Sequence, residues 1–198
     1  MNREFSPKAC FAVLFCAITL LALPDSARPS LAGTMPNYSA ENIRTGTVVD
    51  IKNSFKGQVL LIVNVPMDCK GKNQFVGLQK LYQRYRDRGF VVIGLVSNQF
   101  RPQLYADKQH FLEDCRKRYK LSFPMFEHKG PSELSDDPLF HWLEQDSGVA
   151  AQDDFTKYLV GRNLDSVKAY AHSARPDDIR LSVSIGKLLQ VREGKAPD

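Results

Sequence analysis

Cysteine is scarce in this 198-residue chain, with four residues at Cys10, Cys16, Cys69 and Cys115. No two of them form a Cys-x-x-Cys pair, which argues against an ordinary dithiol oxidoreductase. The histidines His110, His128, His141 and His172 show no metal-ligand spacing, so neither a metal nor another cofactor is expected. Although the net charge is +5, no long basic run carries interleaved aromatics, so nucleic acid is not an expected partner. The basic clusters Arg84, Arg86, Arg88 and Arg116, Lys117, Arg118, Lys120 read as solvated helix faces. Internal repeats and low-complexity tracts are absent, and nothing marks a second domain. The apolar run Ala9 to Leu23 falls short of the about 20 residues of a membrane span.

That run follows Arg3 and Lys8 and ends at Pro24, with small residues after it. This is the layout of a secretory signal peptide. Ser30-Leu31-Ala32 supplies small residues at −3 and −1, so cleavage is expected after Ala32, leaving a single domain over 33–198 in a periplasmic or secreted location. Loss of residues 1–32 removes three basic and two acidic side chains, leaving 24 basic against 20 acidic, a net +4. It also removes Cys10 and Cys16. The remaining Cys69 and Cys115 suggest a pair, because an exported compartment permits disulfides. Whether that pair is structural or catalytic stays open at this point.

With 43% hydrophobic residues, an ordinary core can form. Residues 33–47 are polar and Pro/Gly-marked. Val48 to Ile51 is a short strand candidate, and Val59 to Val65 is a near-continuous apolar run of the kind buried on both faces of a parallel sheet. Phe75, Leu78, Leu81, Tyr82 and Tyr85 then recur at helical spacing until Gly89, and Val91 to Val96 is a second buried strand. Residues 104–119 and 138–144 read as helices, with 122–126 extended between them. Tyr158 to Val160 and Val167 to Tyr170 read as a hairpin. Residues 176–191 read as a closing helix with Ile179, Val183, Ile185, Leu188 and Leu189 as its apolar points. This predicts an α/β, thioredoxin-like fold with a central mixed sheet flanked by helices. Cys69 falls just past a strand's carboxyl end, where α/β sheets place ligands and chemistry.

The segments NVPMDC, GLQKLYQRYRDRGFVVIGLVSNQF, CRKRYKLSFPMF, PLFHWL and FTKYLV, with the ARPDDIR and IGKLL end, resemble the glutathione peroxidase family in order and spacing. By position, Cys69 matches that family's peroxidatic residue and Gln103 its active-site glutamine. Cys115 matches the resolving cysteine of the two-cysteine, thioredoxin-using members. The resemblance implies a thiol peroxidase for hydrogen peroxide or organic hydroperoxides, with a thioredoxin-like protein or glutathione as reductant. The tetramer-forming insertion of long members has no room here, which implies a monomer. Family geometry also implies that the two cysteines stay apart until the helix carrying Cys115 rearranges.

Only a thiolate attacks the O–O bond, and a free cysteine titrates near pH 8.5. Lys70 and Lys72 are candidate cations for lowering that value at Cys69, aided by the N-terminus of the following helix. Asp68 and Asp154 act in the opposite direction. Pro66-Met67-Asp68 stands where the family has Ala-Ser-Gln, Ser97 replaces the second cysteine of its FPCNQF motif, and Asp153-Asp154 replaces its Trp-Asn. An ionised aspartate cannot donate the hydrogen bonds of those lost side chains, so weaker activation than in a typical member is expected. The alternatives are a redox sensor, a thiol–disulfide exchange protein or a non-enzymatic binding module on the same scaffold. Trp142 reads as packing rather than as part of the site.

Overall fold

The computed structural model describes residues 33–97, 107–128 and 136–190. Among the described residues, seven strands form one mixed sheet: β1 (Ser39–Asn42), β2 (Val48–Asp50), β3 (Val59–Pro66), β4 (Phe90–Ser97), β5 (Met125–Glu127), β6 (Lys157–Val160) and β7 (Val167–Tyr170). Their order is β2-β1-β5-β4-β3-β6-β7. The helices are α1 (Ile51–Ser54), α2 (Lys72–Tyr85), α3 (Lys108–Tyr119), α4 (Pro138–Ser147) and α5 (Ile179–Gln190).

The centre of the sheet follows from two apolar runs. β3 and β4 pair in parallel from Val59↔Phe90 to Pro66↔Ser97. Antiparallel pairing would need only a tight turn, whereas this parallel pair is joined through α2. Side chains alternate across the sheet, as the strand period requires. Val59, Leu61, Val63 and Val65 enter the layer formed with α2, α3 and α5. Leu60 and Ile62 enter the opposite layer with α1 and α4. Each fully buried aliphatic side chain contributes about 1.5–3 kcal/mol, so a strand buried on both faces anchors the sheet. Trp142 is buried in the α4 layer, and its indole N–H donates to the Gly33 carbonyl at 3.1 Å, which fits a packing role.

Several boundaries differ from the sequence reading. A strand, β1, forms within the polar 33–47 segment because it pairs on both sides, with β2 and β5. The 48–51 strand stops at Asp50, whose carboxylate caps α1 by accepting from the Asn53 N–H at 3.0 Å. The closing helix turns a different face inward. Leu181 and Ile185 are buried, whereas Ile179 and Val183 are 72% and 48% exposed. Positions 181, 185, 188 and 189 share one stripe of the 3.6-residue period, and position 179 lies on the far side of it.

Candidate active site

Cys69 sits at the mouth of the β3–α2 connection. β3 ends at Pro66, and the chain turns through Met67, Asp68, Cys69, Lys70 and Gly71 before α2 starts at Lys72. The Asp68 carboxylate shapes the turn by accepting from the Lys70 N–H at 2.9 Å, the local bond that asparagine and aspartate supply in turns. Gly71 is the N-cap of α2, and its carbonyl accepts the Phe75 N–H at 2.9 Å. A side chain at position 71 has no room, because its Cβ would lie 2.5 Å from the Phe155 ring. Phe155 also packs edge-on against Phe75, with ring centroids 5.2 Å apart. Its ring therefore covers the cysteine loop from the β6 side.

Cys69 and Cys115 are bonded to each other, with Cα atoms 5.5 Å apart across a sequence separation of 46. This corrects the expectation that the cysteines stay apart until a helix rearranges. α3 is continuous over Lys108–Tyr119 with the disulfide in place. The distance lies in the ordinary range for bridged cysteines. Phe111, Leu112 and Cys115 form the buried face of α3, and packing that face beside α2 brings Cys115 over Cys69. Both cysteines are shielded, Cys69 at 5% exposure and Cys115 at 0%. The Cys69 sulfur lies 3.6 Å from the Phe111 carbonyl oxygen. In the disulfide it has no proton to donate there, so this is a contact, and only the reduced thiol can make it a hydrogen bond. The Tyr119 hydroxyl donates to the Cys69 carbonyl, and its ring stacks on Phe75 at 5.6 Å.

The remaining candidates are distributed unevenly. Gln103 lies outside the described residues. Lys70 and Lys72 are exposed, and Lys72 faces a groove beside α2. Asp154 is buried, with its N–H donating to the Asp153 carboxylate at 2.7 Å. Asp153 in turn pairs with His172 at 3.3 Å. The two aspartates therefore do not act as a matched pair: one is buried and the other is held by an imidazole.

Two buried groups near the sheet were not singled out in the sequence. Lys157, on β6, is fully buried and donates to the Phe155 carbonyl at 2.7 Å. Burial brings its pKa down from 10.5 to about 8, because desolvation disfavours the ammonium form. Its bond braces Phe155, which adopts a left-handed φ of 63°, uncommon for a bulky residue. The signal was available as a lone charged residue within FTKYLV. On the other sheet layer, Asp137 caps α4 through the Leu139 and Phe140 N–H groups at 2.9 and 3.1 Å. It also accepts from Tyr38 at 3.2 Å and pairs with His128 at 3.0 Å. Burial alone would raise its pKa, but the His128 hydrogen bond and the helix N–H groups outweigh that and hold it low. Burial and the adjacent Asp137 charge push the Tyr38 hydroxyl pKa up.

A redox-capable cysteine pair at a parallel strand's carboxyl end can pass through thiol, sulfenic acid and disulfide states. A family model described as glutathione peroxidase matches residues 35–144. The chain is 39% identical over 166 residues to a hydroperoxy fatty acid reductase of Synechocystis sp., spanning 79% of this chain and 96% of that protein. It is 38% identical over 141 residues to the glutathione peroxidase homolog BsaA of Halalkalibacterium halodurans, spanning 69% and 88%. Its fold superposes on the crystal structure of Trgpx in apo form with a TM-score of 0.60 at 22% identity, covering 78% of this chain and 94% of that one. It also superposes on a thiol:disulfide interchange protein of the thioredoxin family from Chlorobium tepidum with a TM-score of 0.59 at 13% identity, covering 82% and 98%. The architecture is thioredoxin-like, and the chain is a peroxidase that belongs to the glutathione peroxidase family.

Proposed function

We propose that this protein is an exported two-cysteine peroxidase whose cycle runs through Cys69 and Cys115. The Cys69 thiolate attacks the distal peroxide oxygen, forming an S–O bond and breaking the O–O bond. The leaving alkoxide or hydroxide takes a proton and departs as alcohol or water. The Cys115 thiol then condenses with the Cys69 sulfenic acid, releasing water and giving the disulfide. An external thiol donor, either one dithiol of a thioredoxin-like protein or two glutathione molecules, returns both sulfurs to thiols by exchange and leaves as its own disulfide. The observation that carries this reading is the Cys69–Cys115 bond itself, placed at the strand end and closed within an intact α3.

Hydrogen peroxide and organic hydroperoxides both fit the chemistry, and the Synechocystis relative extends the proposed substrates to hydroperoxy fatty acids. The shielding of both sulfurs means that reduction depends on local opening around Cys69, a low-cost motion at loops and helix ends. The N-terminal segment supports export, since its basic start and apolar run match a cleaved signal. The oligomeric state proposed is a monomer.

The deciding measurement is steady peroxide consumption by wild type, Cys69→Ser and Cys115→Ser, with thioredoxin plus its reductase and separately with glutathione plus its reductase. Wild type turns over with at least one donor, Cys69→Ser does not, and Cys115→Ser loses thioredoxin-dependent turnover. Full activity in Cys69→Ser overturns the mechanism. Detection of the mature N-terminus at residue 33 in an exported fraction tests the location, and a cytoplasmic protein retaining residues 1–32 overturns it.

A further inference from the structure

Lys157 occupies a core position. It pairs with Val63 of β3 on one side and with Tyr170 of β7 on the other, and it is fully buried. Burial alone accounts for its lowered pKa, with no carboxylate contributing. An amine buried without a counter-charge is costly, and a methionine would fill a similar length without that cost. Packing therefore does not explain a lysine here. What the lysine adds is a donor, and that donor meets the Phe155 carbonyl at 2.7 Å.

Phe155 is held at both ends of its backbone. Its N–H donates to the Asn64 carbonyl of β3 at 2.7 Å, and its carbonyl accepts from Lys157. Between these bonds it keeps a φ of 63°, a conformation that persists in a bulky residue only where the surroundings enforce it. The ring lies on Gly71, the N-cap of α2 and two residues after Cys69, where a Cβ would meet it at 2.5 Å. It also meets Phe75 edge-on at 5.2 Å, and Phe75 stacks on Tyr119 at 5.6 Å. The Tyr119 hydroxyl then donates to the Cys69 carbonyl. Two sets of contacts thus lead from the Lys157 amine through Phe155 to the Cys69 loop, one by Gly71 and one by Phe75 and Tyr119.

We propose that Lys157 is a positioning residue for Cys69, acting through Phe155: the amine fixes the Phe155 carbonyl, and the ring so placed fixes the α2 N-cap and the loop that carries the reacting sulfur. This inference rests on the proposed peroxidase cycle and gives a part in it to a residue outside the cysteine pair. Lys157 touches no reacting atom. It acts on rate through geometry, where a misplacement of about 1 Å can cost on the order of 100-fold.

The test is a double-mutant cycle of wild type, Lys157→Met, Phe155→Leu and Lys157→Met/Phe155→Leu, all in a Cys115→Ser background that keeps Cys69 free. Two readouts are taken on the reduced proteins: the rate constant for oxidation of Cys69 by hydrogen peroxide, and the pH–rate profile of Cys69 alkylation by iodoacetamide. Lys157→Met is expected to slow oxidation about tenfold and to move the alkylation midpoint upward, because the α2 N-terminus no longer stands in a fixed relation to the thiolate. Phe155→Leu is expected to do the same, and Lys157→Met to add less than about twofold on top of it, since both act on one contact. A merely structural lysine lowers stability in both backgrounds and leaves the alkylation midpoint where it was. Lys157→Gln, uncharged but still a donor, serves where the Met variant folds poorly and is expected to retain several-fold more of the rate. Unchanged oxidation and alkylation in Lys157→Met, effects that multiply fully in the double variant, or equal losses in Lys157→Gln and Lys157→Met each overturn the inference. Failure of wild-type Cys69 to react with peroxide, with the alkylation midpoints moved as expected, supports the positioning role and overturns the peroxidase function alone.

Discussion

The Tyr119 hydroxyl donates to the carbonyl oxygen of Cys69, joining the last turn of α3 to the loop that carries the other half of the disulfide. Tyr119→Phe removes that donor and leaves a carbonyl beside a shielded cysteine unpaired. The expected loss is about 1–2 kcal/mol, read by urea denaturation of the oxidised protein. The same change frees the loop, so reduction by a small phosphine is expected to be several-fold faster. Unchanged stability together with an unchanged reduction rate removes Tyr119 from any role in shielding the disulfide.

The disulfide closes a long loop, with a sequence separation of 46. For a loop of that length the chain-entropy model gives about 4 kcal/mol of stabilisation. Measured values typically run about 2–4 kcal/mol, because the reduced chain retains some structure. Comparing denaturation midpoints of oxidised and dithiothreitol-reduced protein checks this, and Cys115→Ser is expected to match the reduced form. A reduced protein as stable as the oxidised one contradicts it.

Gly71 is packed beneath the Phe155 ring, with no space for a Cβ. Gly71→Ala is expected to cost about 1–3 kcal/mol by overpacking and to slow peroxide turnover by displacing the loop next to Cys69. Shrinking the ring in Gly71→Ala/Phe155→Leu is expected to restore part of both losses. If the double variant is no better than the single, Phe155 is not what the added methyl meets.

Lys157 makes stability depend on pH in a definite direction. Its folded pKa, about 8, lies below the ordinary 10.5. Between these values the unfolded chain holds the proton and the folded one does not. Its contribution to stability therefore rises as pH increases through that window, by up to roughly 3 kcal/mol. Lys157→Met lacks this titration and also leaves the Phe155 carbonyl without its donor. The stability gap between wild type and Lys157→Met is therefore expected to move in favour of wild type from pH 7.5 to 10. A gap that stays constant over this range shows that Lys157 does not titrate there.

The sequence by itself determined the central architecture. The apolar runs 59–65 and 91–96 and the 3.6-residue period from Phe75 to Tyr85 specify two buried strands and the helix between them. Those signals act over neighbouring residues, so they survive without tertiary information. They also put Cys69 past the end of β3, because the apolar run stops there. Where a signal depends on packing, the sequence was ambiguous or misleading. The inward face of α5 contains 181 and 185 rather than 179 and 183, since two stripes of similar hydropathy compete on one helix and docking selects between them. β1 is built from a polar segment whose strand character comes from its two neighbours. The tertiary structure alone decided that the Cα atoms of Cys115 and Cys69 lie 5.5 Å apart and that Phe155 covers Gly71. Each of these is a distance between elements remote along the chain. Such distances are set by how helices and loops seat on the sheet, and the local pattern of side chains does not encode that offset.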